Sequence, residues 1–157
     1  YYITSPVIMK LLEDRLPITS ITVMVQKEAA ERLCAQPGTR ECGAVSAAVQ
    51  YYAEPEILFE VSRGSFMPAP NVDSAVIQLR IRKEPPVDVH DEALFFRVIR
   101  AAFAQRRKTA VNSISNTLHM SKQQVTDAFE QAGVRANSRA EALTLPEFAA
   151  VVNQLAD

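Results

Sequence analysis

The sequence predicts part of an α/β sheet followed by a small all-helical domain, and three observations carry that prediction. Apolar, strand-like runs occur at residues 20–26, 56–62 and 74–82, with helical periodicity between the first two. Glu84-Pro85-Pro86-Val87-Asp88 has the composition of a linker. Beyond it every periodic segment is helical. The expected boundaries are therefore 1–88 for the sheet-containing part and 89–157 for the helical part. A layer that opens on a helix and holds one strand of the parallel type does not close a doubly wound sheet alone.

Ser5 and Pro6 read as a helix entry, with Ser5 as N-cap and Pro6 in the first turn, where its missing N–H costs nothing. Val7, Ile8, Leu11 and Leu12 then share a face, and Pro17 ends the element. Residues 20–26 are almost continuously apolar, as in a strand covered on both faces in a parallel sheet. Residues 27–35 read as a helix stopped by Pro37-Gly38, and 43–52 as a more apolar one. In 74–82, Ala75, Ile77, Leu79 and Ile81 alternate with Val76, Gln78, Arg80 and Arg82, which leaves one face solvated. The helical part reads as 91 to about 117, 121–132, a short turn near 138–143, and 146–155. Ser121/Gln124, Ser138/Glu141 and Thr144/Glu147 each fit the capping-box pattern.

Hydrophobic residues at 48% and charged residues at 22% describe a globular chain rather than a disordered one. The net charge of −1 gives no overall argument for nucleic acid. Cys34 and Cys42 make no C-x-x-C pair and are too few for a disulfide scaffold, so reduced thiols are expected. His90 and His119 are isolated, and no metal site is expected. No apolar run approaches the roughly 20 residues of a membrane span, and no signal peptide is recognisable. A soluble, cytoplasmic protein is the expectation. The chain opens at Tyr1, without Met, directly before a helix start, as a piece of something longer would.

Residues 66–74 read Phe-Met-Pro-Ala-Pro-Asn-Val-Asp-Ser. Pro68 and Pro70 fix φ near −65°, and Met67 and Ala69 are pushed toward extended geometry, so the loop is rigid without being helix or sheet. Rigid loops on a sheet scaffold are common mounts for binding groups. The plainer alternative is a hairpin connection with Phe66 tucked into a local core.

From Ala93 through Thr126 there is no acidic residue, while Arg97, Arg100, Arg106, Arg107 and Lys108 crowd into a dozen positions. On one continuous helix, Arg97, Arg100, Arg107 and Lys108 would share a face beside an apolar face of Phe95, Ile99, Phe103 and Ala110. Such a stripe suits a phosphate backbone, although a solvated surface is the usual fate of a charged helix face. Arg106 projects away from the stripe, toward an ion pair or carbonyl contacts with the sheet-containing part.

Three stretches share one resemblance. Tyr1-Tyr2-Ile3-Thr4-Ser5-Pro6 resembles the end of an Asn-Leu-Pro-Tyr motif and the helix after it. Phe66-x-Pro68-x-Pro70-x-Val72-x-Ser74 is similar to the loop after the sixth strand, and Gln105-Arg106-Arg107-Lys108-Thr109 to the signature of the C-terminal helical domain. Together they resemble the small-subunit ribosomal RNA adenine dimethyltransferases, the kasugamycin-resistance family, over essentially the whole chain.

That resemblance implies the C-terminal half of a Rossmann-like methyltransferase sheet, followed by a helical rRNA-binding domain. It implies S-adenosylmethionine as cofactor, the immature small ribosomal subunit as partner, and transfer of methyl groups to the N6 amines of two adjacent adenosines. Tyr1 and Phe66 would then sandwich the extruded adenine, with Pro68, Pro70, Asn71 and Ser74 completing the substrate loop. Arg97, Arg100, Arg107 and Lys108 would meet RNA. The family's Asn and Pro that hold the amine, its glycine-rich turn and its ribose-binding acid have no counterpart here. Gly38, Gly43, Gly64 and Gly133 form no G-x-G. The cofactor residues would therefore lie upstream, within on the order of a hundred residues, and the 157 residues alone would neither bind the cofactor nor methylate RNA.

Two other readings compete. A stand-alone nucleic-acid module would use 121–132 and 146–155 as a helix-turn-helix-like pair, but the basic residues lie on 91–117, while 121–132 carries Asp127 and Glu130. The macrolide-resistance relatives modify one adenine of large-subunit RNA, and the Gln-Arg-Arg-Lys-Thr run with the intact Pro-x-Pro loop favours the small-subunit family. A lone half-sheet also leaves an open edge, which a second copy of the chain could pair.

Overall fold

The computed structural model describes residues 4–157. Three strands, β1 (Ser20–Gln26), β2 (Ala53–Val61) and β3 (Ser74–Ile81), form a sheet in the order β1-β3-β2. Both pairings are antiparallel, with Val25 opposite Ala75, Val23 opposite Ile77 and Ile21 opposite Leu79. This corrects the expectation for 20–26: its boundaries hold, but it is neither parallel to its neighbour nor covered on both faces. An apolar run reports hydrophobicity, not strand direction.

Helices α1 (Thr4–Glu13), α2 (Lys27–Cys34) and α3 (Ala44–Tyr52) accompany the sheet. Ile8, Leu12, Leu33 and Val49 join Val25, Ile77 and Leu79 in one core. The other face carries Met24, Val76 and Phe59 in a row across the strands, with Met24 44% and Phe59 56% exposed. α1 begins at Thr4, so Ser5 stands inside its first turn and is not the N-cap; Val7 faces outward. The helix ends at Glu13, ahead of Pro17, and Arg15 takes a positive φ of 49°.

The expected single helix from 91 to about 117 is two. α4 (Glu92–Phe103) and α5 (Ala110–Leu118) are separated by a turn at 104–109. Ser113 makes the break, because its Oγ donates to the Ala101 carbonyl and accepts from the Gln105 N–H at 3.0 Å. Thr109 then caps α5 through the Asn112 N–H. α6 (Lys122–Gln131) and α7 (Leu145–Ala156) complete the helical part around Phe95, Ile114, Phe129, Leu143 and Phe148. Ser121 caps α6, and Thr144 with Glu147 forms a full capping box. Ser138/Glu141 does not: Arg139 precedes a 3-10 turn at Ala140–Ala142, and the Ser138 carbonyl accepts instead from Ala110 N–H at 2.8 Å.

α3 serves both cores. Val49 belongs to the sheet core, while Ala47 and Tyr51 pack among the helical residues. Beside it, Arg15 Nη2 donates to both Glu92 carboxylate oxygens, at 2.8 and 3.0 Å, and the Tyr51 hydroxyl donates to Oε2 at 2.6 Å. The Arg15 guanidinium also sits 5.7 Å from the centre of the Tyr52 ring, which stacks on Phe96. Burial works to raise the Glu92 pKa, but hydrogen bonds from Tyr51 and Arg15, with Arg15's charge, outweigh it and hold the carboxyl below its ordinary value. Burial and the same carboxylate push Tyr51 up, so its phenol stays a donor.

A depressed carboxyl contributes stability that is complete above its ordinary range and is lost as pH falls through the depressed value. The Glu92 side chain is 39% exposed, so screening limits its worth to about 1 kcal/mol. Urea denaturation of Glu92→Gln is expected to show that loss at pH 7. Its difference from wild type is expected to close as pH falls below the ordinary glutamate range and through the depressed Glu92 value.

Candidate functional site

The loop at 62–73 joins β2 to β3 and is closed at its neck by side chains on both arms. Ser62 caps a 3-10 turn at Arg63–Ser65 by accepting from the Gly64 N–H. The Arg63 backbone N–H donates to Asp73 Oδ1 at 2.9 Å, and its Nε reaches the same oxygen at 3.2 Å. Arg63 Nη1 donates to the Asn71 carbonyl at 2.7 Å. Asp73's own carbonyl accepts from Lys27 N–H, which ties the neck to the start of α2. Asp73 is held below the ordinary carboxylate range by hydrogen bonds from the Arg63 backbone and side chain, followed by the charges of Arg63 and Lys27.

Above the neck, the Phe66 N–H donates to the Arg63 carbonyl and its side chain is half-buried. Met67 is 99% exposed, Pro68, Ala69 and Asn71 are exposed, and Pro70 is half-buried. Ser74 is buried at the first position of β3. The expected loop residues Phe66, Pro68, Pro70, Asn71 and Ser74 thus share one connection. Tyr1, the expected second jaw, lies outside the described residues.

The basic residues form a second group with a different geometry from the one expected. Arg97 and Arg100 are exposed on α4, but Arg107 and Lys108 lie in the turn at 104–109 and extend no helical stripe. The projection that set Arg106 opposite them fails for the same reason. The turn is braced through its backbone and neutral side chains: Lys108 N–H donates to the Gln105 carbonyl, and Asn116 Nδ2 to Gln105 Oε1. Among the described residues, none of these five cations forms a salt bridge. Arg106 and Lys108 face a cleft of about 820 Å³ that also takes Glu28 and Glu31 of α2, Arg40 and Arg139. α2 therefore runs from the loop neck, at Lys27, to the wall of this cleft one turn later.

A family model for ribosomal RNA adenine dimethylase matches residues 1–157. The chain belongs to that family. It is 52% identical to the ribosomal RNA small subunit methyltransferase A of Geobacillus sp. (strain WCH70), over 99% of this chain and 54% of the relative. With the methyltransferase of the same name from Oceanobacillus iheyensis it shares 48%, over 98% and 53%. The chain thus spans about half the length of the curated relatives it matches.

Among solved structures, a dimethyladenosine transferase from Plasmodium falciparum superposes with a TM-score of 0.79 at 24% identity, covering 96% of this chain and 62% of that one. The 23S rRNA methyltransferase ErmE gives 0.70 at 22%, covering 100% and 62%. The fold is thus the C-terminal half of a Rossmann-like methyltransferase sheet with its helical domain.

Among the described residues no strand leads into an α-helix through a glycine-rich turn of the nucleoside-binding kind. β1 passes into α2 through Gln26-Lys27 with no glycine to admit a ligand's backbone approach. Gly38 and Gly133, with φ of 91° and 74°, sit in turns that follow helices rather than strands. Among the described residues no His/Cys/Asp/Glu group could hold a metal, and no helix is long and apolar enough to cross a membrane. Sequence reasoning missed Arg63, Asp73 and the Arg15–Glu92–Tyr51 cluster, whose partners meet only through hairpin register and helix packing.

Desolvation pushes the Cys34 and Cys42 thiols up to about 11, which disfavours their thiolate forms. At pH 8 both are expected to react with iodoacetamide about a hundredfold more slowly than free cysteine. The rates should climb only toward pH 11.

Proposed function

We propose that this chain is the target-base and rRNA-contacting part of an enzyme that uses S-adenosylmethionine to dimethylate the N6 amines of two adjacent adenosines in small-subunit rRNA. The observation that carries the reading is the pairing, on one frame, of a braced loop presenting Phe66 with a braced turn presenting unpaired cations. The family match and the names of the curated relatives support the RNA substrate and its small-subunit class. Residues 1–88 would form the sheet-containing part and 89–157 the rRNA-binding part.

The chemistry assigns these residues a positioning task. An adenine must leave its stack before its amine can be reached, and an aromatic face compensates about 1–3 kcal/mol of that loss. Phe66 offers such a face, and Tyr1 would supply the opposite one. Arg97, Arg100, Arg107 and Lys108 hold phosphates and set the register of the strand, without reading sequence. Arg106 lines the same cleft as Glu28 and Glu31 without a direct ion pair, and its proposed part is a longer-range attraction between the helical and the sheet-containing parts. Bound S-adenosylmethionine would supply the electrophilic methyl group. Its binding residues are proposed to lie outside these 157 residues.

Fluorescence anisotropy with a hairpin from the 3′ end of small-subunit rRNA tests this, alongside calorimetry with S-adenosylmethionine. The chain is expected to bind the hairpin with strong salt dependence, and Arg107→Ala or Lys108→Ala to lower the log–log salt slope by about 0.7–0.9 each. Arg106→Ala is expected to lower thermal stability more than RNA affinity. Cofactor heat at micromolar affinity would contradict the assignment, as would an Arg106→Ala that keeps its stability but weakens RNA binding as Arg107→Ala does.

A further inference from the structure

We propose that Arg63 and Asp73 form a latch that positions Phe66 for the target base. Arg63 spans the two arms of the loop: its guanidinium reaches the Asp73 carboxylate and the Asn71 carbonyl, and its backbone N–H reaches Asp73 again. Phe66 hangs directly from the same residue, because its N–H donates to the Arg63 carbonyl. The remaining neck bonds, Gly64 to Ser62 Oγ and Ser65 to the Ser62 carbonyl, lie within the first arm and do not close the loop.

Toward the tip the chain has no comparable support. Met67 is 99% exposed, and Pro68 and Ala69 are exposed too. The neck therefore sets where the Phe66 backbone emerges, while the half-buried ring packs from that fixed base. The neck is in turn anchored outside the loop, by Lys27 N–H to the Asp73 carbonyl and by the Lys27–Glu60 ion pair at 3.6 Å. An isolated surface ion pair contributes little to stability. This one matters through geometry: Arg63 holds two acceptors with two different nitrogens of one rigid planar group, whereas an ammonium offers its donors from a single nitrogen on a flexible stem. Arg63 and Asp73 are thus positioning residues and need not touch RNA. The inference rests on the base-stacking role proposed above for Phe66.

Two measurements on the 157-residue chain test it. In amide exchange of the free protein, Arg63→Lys and Asp73→Asn are each expected to speed exchange at the Phe66 amide at least about tenfold while leaving Leu79 in β3 unchanged. Unchanged exchange at Phe66 overturns the latch without reference to RNA. In the second, the hairpin carries 2-aminopurine at the target adenosine and is present at saturation, so affinity drops out. Wild type is expected to change the emission, Phe66→Ala to abolish the change, and each latch variant to lose at least half of it. If Phe66→Ala abolishes the change and the latch variants keep it, the latch alone is wrong. If Phe66→Ala behaves as wild type, the stacking reading fails and the latch's role with it.

Discussion

Helix α3 contributes to two cores at once, and its shared position holds the 62–73 loop and the basic turn in one frame. Val49 packs under the sheet, while Ala47 and Tyr51 pack against the helices. Tyr51 then meets Phe95 and Phe96, and its hydroxyl meets the Glu92 carboxylate that Arg15 also holds. Apolar burial supplies most of the adhesion and is indifferent to direction. The carboxylate with its two donors adds direction, since each bond has an orientation to satisfy. A joint of this kind lets residues from separate parts of the chain act on one macromolecule.

The loop at 62–73 and the turn at 104–109 follow a common design. Each is an irregular segment whose backbone is satisfied locally, so its exposed side chains are left for a ligand. At the loop, Arg63, Ser62 and Asp73 satisfy the neck and Phe66 is presented above it. At the turn, Ser113 and the Gln105 carbonyl satisfy backbone N–H groups, Asn116 holds the Gln105 side chain, and Arg106, Arg107 and Lys108 remain exposed without salt bridges among the described residues. Side chains with fixed bases lose less entropy when they bind. α2 connects the two, with Lys27 at the neck and Glu28 and Glu31 in the cleft that Arg106 and Lys108 face.

Much of this was legible in the residues, and the failures share a cause. The bounds of 20–26 were readable because an apolar run ends where polar residues begin, and the Thr144/Glu147 box because its partners are three apart. Strand direction was not readable, since pairing depends on residues far away in the chain. The break at 104–109 carries no glycine or proline, so periodicity ran through it; its cause is Ser113, which lies beyond the break and folds back. The basic residues were still found, because clustering survives a wrong geometry. Arg63 and Asp73 stand ten positions apart and meet only when β2 and β3 are in register. No local signal marks them.

The central claim is that one RNA engages both segments together. Photo-cross-linking of the chain to small ribosomal subunits, read by mass spectrometry, tests this most directly. The account predicts cross-linked peptides from both 62–73 and 104–109 in the same RNA-bound population. Cross-links confined to α6 and α7, with neither segment touched, would contradict it.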